Sequence, residues 1–431
     1  MRFRFVHAAD LHLDTPFEGI AQVSPEAAAL LRDASLKAFD AVVDLAIERE
    51  AAFVLLGGDL YDGAERGVRA QLRFLHGVER LAARGIRTFV VHGNHDPLGG
   101  WPAVRQWPRE VTMFGSQEVV GVPVEIDGRR VATVFGLSYG RRDVTENLSL
   151  RFPRAGELDR ADGLKIGLLH CSVGDQPDHS PYSPCSLADL SRADIDYWAL
   201  GHIHRSAILR DGGPWVVYPG NTQGRSAKPA ETGAKGVMLV EVQGTGICSV
   251  EPISVDVVRF AETSFDVSTI GEDADLGTLR AELLRQAVTA REKNADRALL
   301  LRTTVLGRGS LHVDLASPGA VTDLARDLQE SFSGAEPPLW WESLRDRTQP
   351  QLDLNVVRSR DDFSASLLTL AEAVANDEAK RDELARLLIP SAPADLARRY
   401  GAPSGEDMTH LLEEAALEAL DALESEAPTC A

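Results

Sequence analysis

The sequence is poor in several features that mark large protein classes. Its 431 residues include only four cysteines, Cys171, Cys185, Cys248 and Cys430. They are scattered, with no C-x-x-C pair, which excludes a disulfide scaffold and a zinc ribbon and fits a reduced, cytoplasmic protein. No run of about 18 apolar residues occurs, so no membrane span is expected. The opening Met1-Arg2-Phe3-Arg4-Phe5 lacks the apolar core and small-residue cleavage site of a signal peptide and reads instead as a strand. There is no internal repeat. Positive charge is also scarce: 45 Lys and Arg stand against 65 Asp and Glu, a formal net charge of −20. That argues against a strong independent grip on nucleic acid, because neutralising phosphates takes Lys and Arg. The deficit is uneven, however. Residues 360–431 hold 16 acidic and six basic side chains, half of the excess in the last sixth of the chain.

What the chain does have is length, with 44% apolar residues, too much for one core and enough for two or three domains. Residues 1–254 alternate short β-branched and aromatic runs with helical patterns. The expected strands are 3–8, 53–56, 88–91, 131–135, 165–169, 197–200, 215–218 and 237–242. Ser24 and Pro25 suit a helix start, Gly85 a helix stop after about 67–84, and Asp127-Gly128 a tight hairpin. Residues 255–358 read strand, helix, strand, helix, strand, a small α+β module. Residues 359–431 read as helical, punctuated by Pro390, Pro393 and Pro403, with Met408, Leu411, Leu412, Ala415, Ala419 and Leu423 at helical spacing in the last helix.

The chemistry lies where strands end. Asp10-Leu11-His12 follows the first strand, Gly57-Gly58-Asp59 the second and Gly93-Asn94-His95-Asp96 the third. His170 ends a later strand, and Gly201-His202-Ile203-His204 follows another. Strand ends are where open α/β sheets gather ligands. In an i, i+2 pair both side chains point the same way in extended backbone, so both reach one centre. Carboxylate, imidazole and amide oxygen together suit Mn²⁺, Fe²⁺ or Zn²⁺, and the absence of cysteine from these positions argues against structural zinc. Two ions about 3.5–4 Å apart activate water and neutralise a phosphoryl group. Each element alone has a plainer explanation: a turn residue, an ordinary glycine loop, a core histidine. All of them in one order, each at a strand end, favour metal binding.

The series D-x-H, G-D, G-N-H-D, H, G-H-x-H resembles the calcineurin-like metallophosphoesterase superfamily. His7-Ala8-Ala9-Asp10-Leu11-His12-Leu13, Gly58-Asp59-Leu60-Tyr61-Asp62 and Tyr218-Pro219-Gly220-Asn221 resemble the SbcD/YhaO-type DNA repair exonucleases, over roughly residues 1–355. The resemblance implies an α/β fold: a four-layer β-sandwich core flanked by helices, a small α+β capping domain and a helical carboxy-terminal tail. It implies that Asp10, His12 and His204 hold one divalent ion, that Asn94, His170 and His202 hold the other, and that Asp59 bridges them, with Mn²⁺ the expected metal. His95 would stabilise or protonate the leaving oxygen, and Asp96 would orient His95. The activity implied is DNA phosphodiester hydrolysis as an exonuclease, with endonuclease action also open. The partners implied are DNA and an SMC-like ABC-type ATPase docked on the tail, and a homodimer is consistent with the family. Where archaeal and eukaryotic relatives carry a histidine, this chain carries Asp62, as bacterial relatives often do. The loop Asn221-Thr222-Gln223-Gly224-Arg225 is similar to YhaO, but Ser226 stands where a histidine is expected.

Arg225, Tyr182 and His179 are substrate-contact candidates whose plainer alternative is an exposed loop. Arg141-Arg142 reads as solvated surface and Trp340-Trp341 as core packing. Two rival functions share these motifs: a phosphatase or cyclic-nucleotide phosphodiesterase, and a largely non-catalytic scaffold for DNA ends or an ATPase.

Overall fold

The computed structural model describes residues 1–426 except 16, 18–24, 64–66, 155, 159–162, 175–180, 272 and 389–404. Ser24, His179, Pro390, Pro393 and Pro403 therefore lie outside the described residues. The chain divides into two compact units. One comprises 1–263, 285–303 and 325–343, the other 264–284, 304–324 and 344–431.

Two six-stranded sheets form the centre of the first unit. Across the first run β12 (Gly246–Ser254), β11 (Gly236–Gln243), β1 (Arg2–Ala8), β2 (Phe53–Leu56), β3 (Arg87–Val90) and β4 (Val111–Met113). The second carries β5 (Val120–Ile126), β6 (Arg129–Leu137), β7 (Leu164–His170), β8 (Tyr197–Gly201), β10 (Trp215–Tyr218) and β9 (Ala207–Arg210). Neighbours β1, β2 and β3 are parallel, as are β6, β7 and β8. β2 is buried along its whole length, as its unbroken apolar run Phe53-Val54-Leu55-Leu56 requires of a central parallel strand.

The two sheets pack face to face through one core that includes Phe5, Phe53, Phe89, Ile166, Leu168, Tyr197 and Val240. The outer face of the first sheet is covered by α2 (Ala34–Glu48) and α3 (Val68–Ala82), while α1 (Pro25–Arg32) packs Leu31 against Val258, Phe260 and Leu300. Phe39, Val43, Phe74, Val78 and Leu81 turn the apolar sides of α2 and α3 inward. Beyond the second sheet, Leu148, Phe152 and Leu190, the last from α4 (Leu187–Arg192), cover Trp198 and Leu200. The result is four layers, helix, sheet, sheet and a thinner helical cover. Asp127 and Gly128, both at positive φ, close the β5–β6 hairpin.

Three of the described strands escape the sequence pattern: β4, β9 and β12. All are edge strands, where half-exposed residues blur the alternation. β12 even carries Pro252, which an edge tolerates.

A third sheet has the order β13 (Val258–Asp266), β14 (Ala298–Arg308), β15 (Leu339–Gln349). With it run α5 (Leu276–Glu292), α6 (Leu311–Leu315) and α7 (Ala320–Glu330). In the second unit, α8 (Leu354–Arg358), α9 (Phe363–Ala375), α10 (Glu378–Leu388) and α11 (Gly405–Glu426) follow. Val357, Leu368 and Leu420 form a small core there. Arg308 reaches both oxygens of Asp421 on α11, at 2.7 and 2.6 Å. The buried line on α11 is Met408, Ala416 and Leu420, while Leu411, expected on that line, faces solvent. Among the described residues no helix is long and apolar enough to cross a membrane.

Phe53 is wholly buried, stacked on Phe5 at 4.9 Å between ring centroids. Phe53→Ala is expected to lower the unfolding free energy by about 3–5 kcal/mol in a denaturant titration. A loss under about 1 kcal/mol would contradict the sheet-on-sheet core.

Candidate metal centre

The parallel strands β1, β2 and β3 of one sheet and β7 and β8 of the other deliver their carboxyl ends to one edge. There the sheets almost touch. A Cβ on Gly201 would lie 2.0 Å from the Gly57 carbonyl, and one on Gly93 would lie 2.3 Å from Asp59 Oδ1. Glycine at these two points lets loops from both sheets close on the same small volume. The Asp10 N–H donates to the Gly58 carbonyl and the His12 N–H to the Asp59 carbonyl, both at 3.0 Å. Asp10, His12, Asp59 and His202 all sit at positive φ, an uncommon state for side-chain-bearing residues and one that clusters at functional sites.

The side chains so delivered converge. Ligand-type atoms of Asp10, His12 and His204 lie within 4.8 Å of one another, as do those of Asp10, Asp59 and His170. His12 Nε2 faces His204 Nε2 at 3.1 Å. His170 Nδ1–H donates to the Gly57 carbonyl at 2.8 Å, so its Nε2 is aimed at Asn94 Oδ1 at 2.9 Å and Asp59 Oδ2 at 3.4 Å. The His202 N–H donates to both Asp10 oxygens at 3.1 Å, and its ring lies 5.2 Å from that of His170. Every one of these seven residues except His204 is buried.

Burial of this many charged groups shapes their protonation. It pushes the Asp10 carboxyl up to about 6, against the pull of His170 and His204. Burial would raise Asp59 too, but the charge of His170 and the contact with it hold Asp59 well below the usual carboxylate range. His170 mirrors this: burial lowers it, and Asp59 more than reverses that, to about 9. Burial and neighbouring His204 keep His12 far below its ordinary value, a neutral imidazole with one nitrogen lone pair to offer.

This donor set fits divalent cations. His170 Nε2 is aimed at two oxygens, an arrangement that a shared cation satisfies. His12 Nε2 and His204 Nε2 converge beside Asp10, a meeting of two acceptor nitrogens that a cation between them would relieve. Imidazole, carboxylate and amide oxygen without thiolate suit first-row transition ions.

His95 lies beside this cage, its ring 5.1 Å from that of His12 and its N–H bonded to Asp59 Oδ1 at 2.9 Å. The expectation that Asp96 orients His95 is corrected. Asp96 accepts from Gly93 N–H at 2.8 Å and Leu60 N–H at 3.0 Å and contacts His92 Nδ1 at 3.2 Å. The carboxylate against His95 Nδ1 is Asp62, at 2.5 Å, and that hydrogen bond raises His95 against the effect of burial. Arg225 Nη2 donates to the second oxygen of Asp62 at 2.7 Å. Arg225 and Asp62 line a cleft of about 760 Å³ with Leu13, Tyr61, Ser226 and Lys228.

Tyr182 sets its ring edge-on to His202 at 5.6 Å. Trp341 is core, its Nε1–H bonded to Thr303, and Arg141 and Arg142 are exposed. His7 is a buried structural histidine, bonded to the Tyr197 hydroxyl and the Leu200 carbonyl and held neutral by burial. Sequence reasoning missed Glu231 altogether. Its carboxylate takes His204 Nδ1–H at 2.6 Å, and burial notwithstanding, that contact holds it down at about 2.

Comparison with known proteins agrees with this geometry. The calcineurin-like phosphoesterase family matches residues 3–206, and the middle domain of metallophosphoesterase YhaO matches residues 260–349. The chain is 34% identical to the uncharacterized metallophosphoesterase YhaO of Bacillus subtilis, over 81% of this chain and 83% of that one. It is 25% identical to SbcD of the nuclease SbcCD from the same organism, over 56% and 66% of the two chains. It is 28% identical to the DNA double-strand break repair protein Mre11 of Thermoplasma acidophilum, over 48% and 55%. Calcineurin-like phosphoesterases use a dinuclear metal centre. With its strand-end cage and a match to YhaO along most of both chains, this chain belongs to the calcineurin-like metallophosphoesterase family, in the SbcD/YhaO group.

Proposed function

We propose that this protein is a metal-dependent DNA phosphodiesterase acting as an exonuclease in DNA repair. The observation that carries the reading is the cage of carboxylates, imidazoles and one amide with His95 at its rim, joined through Asp62 and Glu231 to a cleft that holds Arg225 and Lys228. Asp10, His12 and His204 would hold one divalent ion, Asn94, His170 and His202 a second, and Asp59 would bridge them, with Mn²⁺ the natural occupant of such ligands. Bound ions supply an activated water and neutralise charge on the phosphoryl group.

The chain's own residues do the rest. Asp62 fixes His95 with Nδ1 protonated and keeps the imidazole basic enough to hold a second proton, on Nε2, for the leaving oxygen. Asp96 fixes the turn that presents His95. Arg225 restrains Asp62 and brings positive charge to the cleft. The resemblance to SbcD and Mre11, together with the YhaO-type module after the catalytic domain, favours DNA over a small phosphoester.

The second unit supports a partner. α9, α10 and α11 enclose an apolar groove of about 520 Å³, lined by Leu367, Leu370, Val374, Leu384, Leu387 and Leu412. An amphipathic helix fits such a groove, and the coiled coil of an SMC-like ABC-type ATPase would supply one. A basic partner face would also provide the DNA grip that a net charge of −20 denies this chain alone.

End-labelled single-stranded and duplex DNA, bis-p-nitrophenyl phosphate and cAMP, each incubated with the protein and Mn²⁺, test the reading. Stepwise shortening of DNA, abolished by a chelator, is expected. Turnover of the small substrates alone would refute the nuclease assignment. His95→Ala is expected to retain both ions by metal analysis and to lose about 10²–10⁴-fold in turnover. Asp62→Asn is expected to shift the pH profile. Asp62 raises His95, and the acid form works, so activity falls as pH rises through its pKa. Removing the carboxylate lowers that pKa and moves the alkaline limb to lower pH. An unmoved limb would mean that His95 is not the proton donor.

A further inference from the structure

Glu231 belongs to none of the strand-end motifs. It closes a single turn of 3₁₀ helix at Pro229–Glu231, and its side chain is 11% exposed. A carboxylate so enclosed needs donors on both oxygens, and the structure provides them. Oε1 accepts His204 Nδ1–H at 2.6 Å. Oε2 accepts Asn221 Nδ2–H at 2.7 Å and the Arg225 backbone N–H at 3.1 Å. The backbone of His204 is held as well, since Lys235 Nζ donates to its carbonyl at 2.9 Å and Asn221 N–H to the same oxygen at 3.3 Å.

We propose that Glu231 is a positioning residue that sets the tautomer of His204 and links that metal ligand to the proton donor His95. An ionised carboxylate only accepts, so the His204 nitrogen facing it must carry the proton. The other nitrogen, Nε2, is then left with its lone pair pointing toward His12 Nε2 and Asp10, where an ion would sit. The opposite oxygen carries the link onward. It fixes the backbone of Arg225, Arg225 Nη2 holds Asp62 Oδ2 at 2.7 Å, and Asp62 Oδ1 holds His95 Nδ1 at 2.5 Å. One side chain from a loop beyond the recognised motifs thus braces both an ion ligand and the group beside the leaving oxygen. The inference rests on the two-ion reading above, not on DNA being the substrate.

Glu231→Gln tests it, because the amide keeps the shape of the carboxylate but cannot accept on both sides. Two donors, Asn221 Nδ2–H and the Arg225 N–H, claim its oxygen, so its NH₂ faces His204 and forces the proton onto Nε2. Mn²⁺ is titrated calorimetrically into metal-free protein, and the metal-free melting temperature is measured alongside. Wild type is expected to bind two ions. Glu231→Gln is expected to keep one at wild-type affinity and to weaken the other about 10–100-fold, with the metal-free melting temperature unchanged.

Asn221→Ser removes a loop anchor while sparing Oε1 and is expected to leave both ion affinities intact. Should Glu231→Gln melt early, Glu231→Asp replaces it, with the same one-site weakening expected. Two wild-type affinities in the Glu231 variant, or equal weakening in the Asn221 variant, would overturn the inference and reduce Glu231 to a loop brace. Fewer than two ions on wild type would instead bring down the two-ion reading on which it rests.

Discussion

Two buried carboxylates govern this structure. Asp10 and Asp59 leave two strands of one sheet and meet a few ångströms apart with almost no exposure to water. Burying an acidic pair is costly unless positive charge compensates it. Within the chain that charge comes chiefly from imidazoles, and the tension of the arrangement is visible in the upward shifts of both Asp10 and His170 around an Asp59 held firmly ionised. A pair of divalent cations would resolve the imbalance in a way that protonated histidines do not, since it would also use the lone pairs of His12, His204 and Asn94. The close approach of the sheets at Gly57 and Gly201, and the left-handed backbone at Asp10, His12, Asp59 and His202, are what hold the ligands in place before any ion arrives.

The central strands and the convergence of the candidate cage residues were legible because each residue follows an apolar run that must be a buried strand, and parallel strands send their carboxyl ends the same way. The i, i+2 spacing of Asp10 with His12 and of His202 with His204 carried the rest. The partners of those ligands were not legible. Adjacent residues in the Asn94-His95-Asp96 turn diverge, so Asp96 folds back onto the Gly93 and Leu60 amides while His95 turns the other way and finds Asp62. Asp62 lies three residues beyond Asp59 and Glu231 lies 27 beyond His204, and no periodicity in the sequence reports a contact made by a tertiary turn. Edge strands such as β9 and β12 were hidden for a different reason, since half-solvated positions accept polar residues and proline alike.

Function in this design is layered by distance from the ions. The cage fixes chemistry on phosphoryl groups in general, and nothing in its ligands selects a nucleic acid. On the proposed reading, selectivity would fall to the cleft, where Arg225 both restrains Asp62 and offers charge, and to the apolar groove of the second unit, through which a partner would contribute what an acidic chain lacks.

Anomalous diffraction from crystals of the full chain soaked in Mn²⁺ is the decisive experiment. Two peaks about 3.5–4 Å apart are expected. One should contact Asp10, His12 and His204, the other Asn94, His170 and His202, with Asp59 touching both. A single peak, or ions bound away from Asp59, would contradict the two-ion reading.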